Sequence, residues 1–441
     1  MRKAGIRNPD VVACAEPDKP LALNRGYQIP WSAVALCGCI WLLYVTMHNG
    51  ETITDSLMAS TLIPCLFQGH GVDLSAANVG IDLVAAQPYY YWKSSRYGLI
   101  GIYPIGMSLL AAPIQILLWF LASAGGLDIS LGSPFFNHTR SIIEKISASF
   151  LAAAAVLPLV WSLRLVVSRS TTNVVAAIYI FASSSLSLLA QGLWQQTGIN
   201  LITISLLYSL LRNPKPLVNW SAALYFFALG FLFTIRPTAV MWSGFFALLY
   251  FRVGGRPSVR AVIGCALGLL PGVMWNVAVH GHLLGGYVVT PISSFDWHAE
   301  NWLSRLGPML LSPHKGLLIF NPLLLGVACC IVTLRRLEAR TRMVVGTLLI
   351  AALCQLLLCL SNPNWHGGRG FGPRYLVEDL AVWFLLAAIG IDSVSSRFPQ
   401  VSRCVVILVG AYSLVLHMFG AIGGRVDEPT IRGIHESMML P

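Results

Sequence analysis

Residues able to do chemistry are sparse in this chain and gather in a few places. The first is Asp55, within NGETITDSLMASTLIPCLFQGHGVDL at residues 49–74. A carboxylate there could take a proton from an incoming hydroxyl or amine. It could equally cap the following helix by accepting backbone N–H bonds. Glu51, Asp73 and Asp82 read as solvated. The second place is PYYYWKSSRYG, where Lys93 and Arg96 stand among Tyr89, Tyr90, Tyr91, Trp92 and Tyr97. Such a cluster is either an aromatic belt with snorkelling bases or a pair of cations gripping a phosphate at headgroup depth. The third is Arg236 in FLFTIRPTAVMW, alone in an otherwise uncharged stretch from Asn219 to Phe251. An ionisable group inside an apolar span is costly and is a functional candidate by default. If the chain turns there, it is a surface Arg instead.

Two further segments are the most distinctive. Residues 312–322 read SPHKGLLIFNP and contribute Lys315, and residues 362–379 read NPNWHGGRGFGPRYLVED. The second sets Gly367, Gly368, Gly370 and Gly372 around Arg369 and Arg374, with Trp365, His366 and Tyr375 alongside. Glycines let a backbone approach a ligand closely, and Arg offers a planar fork suited to phosphate. Neither segment is a GxxxxGK[ST] loop after a strand, so nucleotide binding is not indicated.

The elements that must position these residues follow from composition. The chain has 441 residues, 56% apolar and 11% charged, with a mean hydropathy of +0.69. Soluble proteins carry about 25% charged residues, which excludes a soluble enzyme or a disordered chain. About twelve apolar runs recur, at 29–48, 98–122, 146–168, 172–190, 199–211, 218–234, 238–251, 261–279, 316–334, 343–360, 376–394 and 404–423. Runs of this kind read as membrane helices. The net charge of +11 does not mark a nucleic-acid binder, because it sits in short turns: Arg252, Arg256 and Arg260; Arg335, Arg336, Arg340 and Arg342; Arg397 and Arg403. By the positive-inside rule those turns are cytoplasmic. The ten cysteines form no CxxC pair, so neither a redox motif nor a zinc site is indicated. Residues 1–28 are expected to be a cytoplasmic tail, 29–424 the membrane domain, and 425–441 a C-terminal tail.

Three larger loops, 49–97, 280–315 and 361–375, then face outward. They are rich in Trp, Tyr, His and Gly, which favours an ordered site over disorder. Leu57, Met58, Leu62, Ile63, Leu66 and Phe67 recur near helical spacing, predicting an amphipathic helix in the first loop. The charge pattern demands an odd number of crossings, yet twelve runs are even. Either 98–126, interrupted by Pro104 and Pro113, is broken or re-entrant, or the pair around Arg236-Pro237 is one kinked crossing.

An Asp early in a first outer loop, a YPxG stretch, an RPT, SPxxGLLxxxP and WxGGxxxGPRYL together resemble polytopic GT-C-type glycosyltransferases. The nearest branch is the protein mannosyltransferase and aminoarabinose transferase superfamily. WHGGRGFGPRYL carries most of the specificity, and the likeness spans about residues 29–424. It implies an all-α GT-C-like bundle of about 11–13 spans with a juxtamembrane helix in the first outer loop. It also implies a polyprenyl-phosphate-linked sugar as donor, and inverting transfer on the outer face to a lipid, glycan or protein acceptor. Asp55 matches the family's acidic position and would be the base. Lys93, Arg96, Lys315 and Arg374 would meet the donor phosphate, and Trp365, His366, Arg369, Tyr375 and Arg236 would line the substrate site. TITDS lacks the usual second acid, and no large C-terminal soluble domain is expected. No cofactor is expected, and a lone Asp55 with scattered histidines is a poor metal cage. The expected location is a bacterial inner membrane. The rival readings are a lipid or sugar transporter or flippase, which would show inverted repeats and midplane sites, and an inactive scaffold of the same fold.

Overall fold

The computed structural model describes residues 31–47, 54–77, 91–94, 96–213, 216–288, 296–367 and 370–423, with backbone alone at 54–55, 91–94, 287–288 and 299. The two expected tails, Arg369 and much of the first loop lie outside the described residues. The chain is an all-α polytopic bundle, with one two-stranded hairpin of β1 (Tyr91–Ser94) and β2 (Gly98–Gly101). Among the described residues six helices are long and apolar enough to cross a membrane, and four shorter apolar ones accompany them.

The helices are α1 (Trp31–Thr46), α2 (Thr54–Phe67), α3 (Gly106–Ala124), α4 (Phe136–Val166), α5 (Arg169–Phe181), α6 (Gln195–Arg212), α7 (Asn219–Ile235), α8 (Val240–Arg252), α9 (Val259–His280), α10 (Ala299–Leu311), α11 (Leu317–Phe320), α12 (Gly326–Thr333), α13 (Ala339–Leu360), α14 (Leu380–Ser395) and α15 (Pro399–Ile422). Central among them is α4, whose Ala152, Ala153, Ala155, Val156 and Leu159 are buried in the main core. Small residues there admit close neighbours, and α1, α5 and α6 pack around it. α7 and α9 pack very closely along their length. A Cβ on Gly264 would lie 2.1 Å from the Ala223 carbonyl oxygen, and one on Gly268 2.1 Å from that of Phe227.

Breaks in the helices have local causes. Arg236 is extended (φ −157°) and Pro237 opens a 3-10 turn, because the residue before proline is pushed out of the helical region. Tyr225 Oη donates to the Phe246 carbonyl and Ser243 Oγ to that of Leu229. So α7 and α8 form an antiparallel hairpin, not one kinked crossing. The expected span at 316–334 is interrupted at Asn321-Pro322, where Asn321 Nδ2 donates to Ser184 Oγ at 3.0 Å. Past α5 the chain makes a π-helical turn at Ser185–Leu189 before α6.

The first part of the run 98–122 is strand, and the helix that begins at Gly106 is one of the six, among the described residues, that are long and apolar enough to cross a membrane. Gly106 abuts Thr234 and Ile235 at the end of α7, and Leu110 and Met107 lie against Gly198 in the first turn of α6. Further along, Gln115 Nε2 donates to the Ala59 carbonyl of α2, and Trp119 stacks on Phe136 at the start of α4.

The opposite end carries the basic turns. Arg340 donates to the Leu210 and Asn213 carbonyls at the end of α6, and Arg260 to Asn219 Oδ1 at the start of α7. Asp392 Oδ1 accepts from Ser168 Oγ and Thr171 Oγ1, each at 2.6 Å, and so locks the end of α14 to the start of α5.

Candidate functional site

The helix expected in the first loop is present as α2, but it is not half open. Every residue from Ser56 to Cys65 is buried, with α3 and α4 packed on it and Leu57, Met58 and Leu62 in a small core with Trp119 and Phe136. Asp55 lies in its first turn; the Asp55 side chain is outside the described residues, as is that of Lys93 in β1. Arg96 is exposed beside the hairpin, its guanidinium 5.0 Å from the Tyr97 ring.

The loop at 280–315 holds a helix that the sequence did not reveal, α10. It is anchored by Asp296, whose Oδ2 accepts from Arg305 Nη2 at 2.6 Å and from Asn301 Nδ2 at 2.7 Å. The His298 backbone N–H, with help from Arg305 and Asn301, holds the Asp296 carboxyl below its ordinary pKa. Arg305 also donates to the Leu360 carbonyl, and the Asp296 N–H to that of Ser361. These bonds fasten the loop at 280–315 to the one at 361–375.

The two distinctive motifs meet directly. Lys315 is buried and its Nζ donates to the Gly370 carbonyl. Arg374, 7% exposed, donates to the Gly367 carbonyl at 3.2 Å. Both cations therefore sit under the glycine segment and brace it. Gly367 (φ +70°) and Gly372 (φ +78°) need the left-handed region, which only glycine enters cheaply. Phe320 from the first motif packs edge-on against Phe371 from the second, centroids 5.1 Å apart.

Arg374 lies flat over Trp194, 4.2 Å from its ring, with Tyr375 on another side at 5.8 Å. Burial lowers its pKa to about 10, so it stays charged at neutral pH. Tyr375 is shared, because the Arg236 guanidinium lies 5.2 Å from the same ring. Arg236 is neither a lone charge in lipid nor a free surface group: Nη1 contacts Glu378 Oε2 at 2.7 Å. Trp365 packs on the core, its ring 6.0 Å from that of the half-buried His366.

The site thus joins Arg236, Lys315, Arg374 and Tyr375 at one end of the bundle, with Trp365 and His366 on the same loop. Arg96 stands apart on the hairpin. Sequence reasoning passed over Glu378 and Asp379, both fully buried behind the glycine loop, and Trp194, the surface on which Arg374 rests. It also passed over Arg140, Glu144 and Lys145. Their signal was available: the i, i+4 spacing of Arg140 and Glu144 fits a helix, but the apolar run begins only at 146. Among the described residues no three His, Cys, Asp or Glu side chains gather to hold a metal ion.

No protein-family model matches this chain, and no curated protein does. The chain is similar to two solved structures of the oligosaccharyltransferase of Archaeoglobus fulgidus. One is a complex with zinc and sulfate, at 13% identity and a TM-score of 0.47, covering 92% of this chain and 56% of that one. The other, of AglB with an inhibitory peptide and a dolichol-phosphate, gives 12% identity and a TM-score of 0.46 over 92% and 57%. This chain therefore spans little more than half the length of the proteins it resembles.

Proposed function

We propose that this chain is a membrane glycosyltransferase that moves a sugar from a polyprenyl-phosphate donor to an acceptor at the outer face of the membrane, with inversion. The observation that carries the reading is the union of the SPHKGLL segment and the glycine-rich segment over buried cations, at the end of the bundle remote from the basic turns. Lys315 and Arg374 donate hydrogen bonds to carbonyls of the glycine segment from beneath, and their charge adds positive potential where a departing lipid phosphate gains negative charge. Arg96 and Lys93, on the hairpin, are the cations proposed to reach a headgroup directly. Trp365, His366, Arg369 and Tyr375 are proposed to line the sugar site.

Asp55 is the proposed base. Its carboxylate takes the proton of the acceptor hydroxyl or amine as the acceptor oxygen or nitrogen forms its bond to the anomeric carbon. The bond from that carbon to the phosphate oxygen breaks on the opposite face, and the lipid phosphate leaves with the electron pair. No step in this scheme requires a cofactor. A bacterial inner membrane with the site facing out is the proposed setting.

The test is purified protein in liposomes with a panel of radiolabelled polyprenyl-phosphate monosaccharides and an acceptor extract from cell envelopes. Transfer breaks the sugar–phosphate bond, so label must leave the donor and free polyprenyl phosphate must appear. Label that crosses the bilayer still attached to its lipid would establish a flippase and overturn the proposal.

A further inference from the structure

Helix α4 enters the bundle carrying three buried charges, Arg140, Glu144 and Lys145. Taking ions out of water costs several kcal/mol each unless partners repay it, so their contacts carry information. Arg140 Nη1 donates to Glu144 Oε2 at 2.8 Å and to Ser60 Oγ of α2 at 2.6 Å, while Nη2 donates to Asn137 Oδ1 at 2.8 Å. Glu144 Oε1 accepts the Leu193 backbone N–H at 3.2 Å. Lys145 Nζ holds the same turn one step earlier, donating to the Ala190 carbonyl at 2.9 Å and to Gln191 Oε1 at 2.8 Å.

The two oxygens of one carboxylate thus face different elements. Oε2 reaches α2 through Arg140, and Asp55 lies in the first turn of α2. Oε1 holds the turn that ends at Trp194, and Arg374 rests on Trp194 at 4.2 Å. A chain of contacts therefore runs from the first-loop helix to the glycine motif: hydrogen bonds link Ser60, Arg140, Glu144 and the Leu193 N–H, and the adjoining Trp194 carries Arg374 on its ring. Apolar packing could hold these elements together, but it is non-directional. Hydrogen bonds at fixed lengths set a register.

From this geometry we infer that Arg140 and Glu144 are positioning residues that fix the spacing between the helix bearing Asp55 and the shelf bearing Arg374. They touch no substrate. The purpose of that spacing, aligning base and donor, rests on the glycosyltransferase reading; the spacing itself does not.

The competing account is that the two charges only compensate each other. The variants Glu144→Gln, Arg140→Met and the double Arg140→Met/Glu144→Leu separate the two. Replacing a buried pair by apolar residues of similar volume is often neutral for stability. Mutual compensation predicts that the double variant recovers wild-type transfer. Positioning predicts that it folds with normal yield yet turns over at least about tenfold more slowly, with donor KM within about twofold, as expected when transition-state alignment alone is lost.

A second readout needs no activity. Spin labels at Phe67→Cys and Asn364→Cys, both exposed sites, report the distance between α2 and the glycine loop on a background stripped of native cysteines. A narrow wild-type distribution should broaden or shift in Glu144→Gln, which can satisfy only one of its two partners, and in the double variant. An unchanged distribution in Glu144→Gln overturns the inference, as does full recovery of transfer by the double variant. If even wild-type protein transfers no sugar, the enzyme reading fails, and the distance measurement still decides the positioning role.

Discussion

The Arg236–Glu378 pair predicts an asymmetry that ordinary surface ion pairs do not show. Its 2.7 Å contact joins a Glu side chain of 0% exposure to an Arg of 14%. Asp379 follows Glu378 and is equally buried. Removing one partner of a buried pair costs about 3–5 kcal/mol, because the other charge is left without compensation. Arg236→Met strands the fully buried Glu378 carboxylate, with the buried Asp379 beside it, so its cost falls near the upper bound. Glu378→Gln strands an Arg that keeps the Tyr375 ring and a partial route to water, so its cost falls at or below the lower bound. Arg236→Met/Glu378→Leu should lie closer to wild type than Arg236→Met does. With an unfolding entropy of about 2.1 cal/mol/K per residue, the 441 residues give roughly 1 °C of midpoint shift per kcal/mol. The expected drops are therefore about 5 °C for Arg236→Met and about 3 °C or less for Glu378→Gln, read by intrinsic fluorescence in detergent. Equal drops, a larger one for Gln, or a double variant worse than either single would refute the burial argument.

Other consequences can be checked independently. Arg374→Lys should express normally yet weaken donor use by about tenfold or more, since Lys cannot both lie flat on Trp194 and keep the bond to Gly367; apparent donor affinity and turnover measure this, and wild-type values would make Arg374 a mere anchor. Gly268→Ala should destabilise by about 1–3 kcal/mol through overpacking, because α7 and α9 must separate; thermal midpoints compare it with Gly244→Ala, where nothing lies within 4 Å. The depressed pKa of Asp296 means its hold on α10 is complete above the ordinary Asp range and is lost as pH falls through the lower folded value. Hydrogen exchange in 299–311 should accelerate on acidification below about pH 4, and Asp296→Asn should remove that dependence.

Much of the architecture was legible because lipid imposes a strong rule: apolar runs of helical length with basic turns between them. The expected spans at 199–211 and 261–279 fall within α6 and α9, and that at 404–423 overruns α15 by one residue. The errors have physical causes. The run 98–122 starts too early, because residues 98–101 pair as β2 with β1 before α3 begins. Apolar content alone also runs straight through Asn321-Pro322, where the proline ends the helix. The cations of the candidate site were legible by type, since Lys315 stands in SPHKGLL and Arg374 beside the glycines of HGGRGFGPRY. Their partners were not, because Trp194 lies 180 positions upstream of Arg374 in the chain and reaches it only through the packing of α6.

Asp55→Asn tests the central proposal most directly. Asn keeps the size of the side chain and much of its capping ability but has no carboxylate to accept a proton. In purified protein supplied with the labelled lipid-linked donor and acceptor extract, the account predicts normal insertion and donor binding, with transfer reduced about 10²–10⁴-fold. Transfer by the Asn variant at the wild-type rate would contradict it and leave Asp55 as a helix cap.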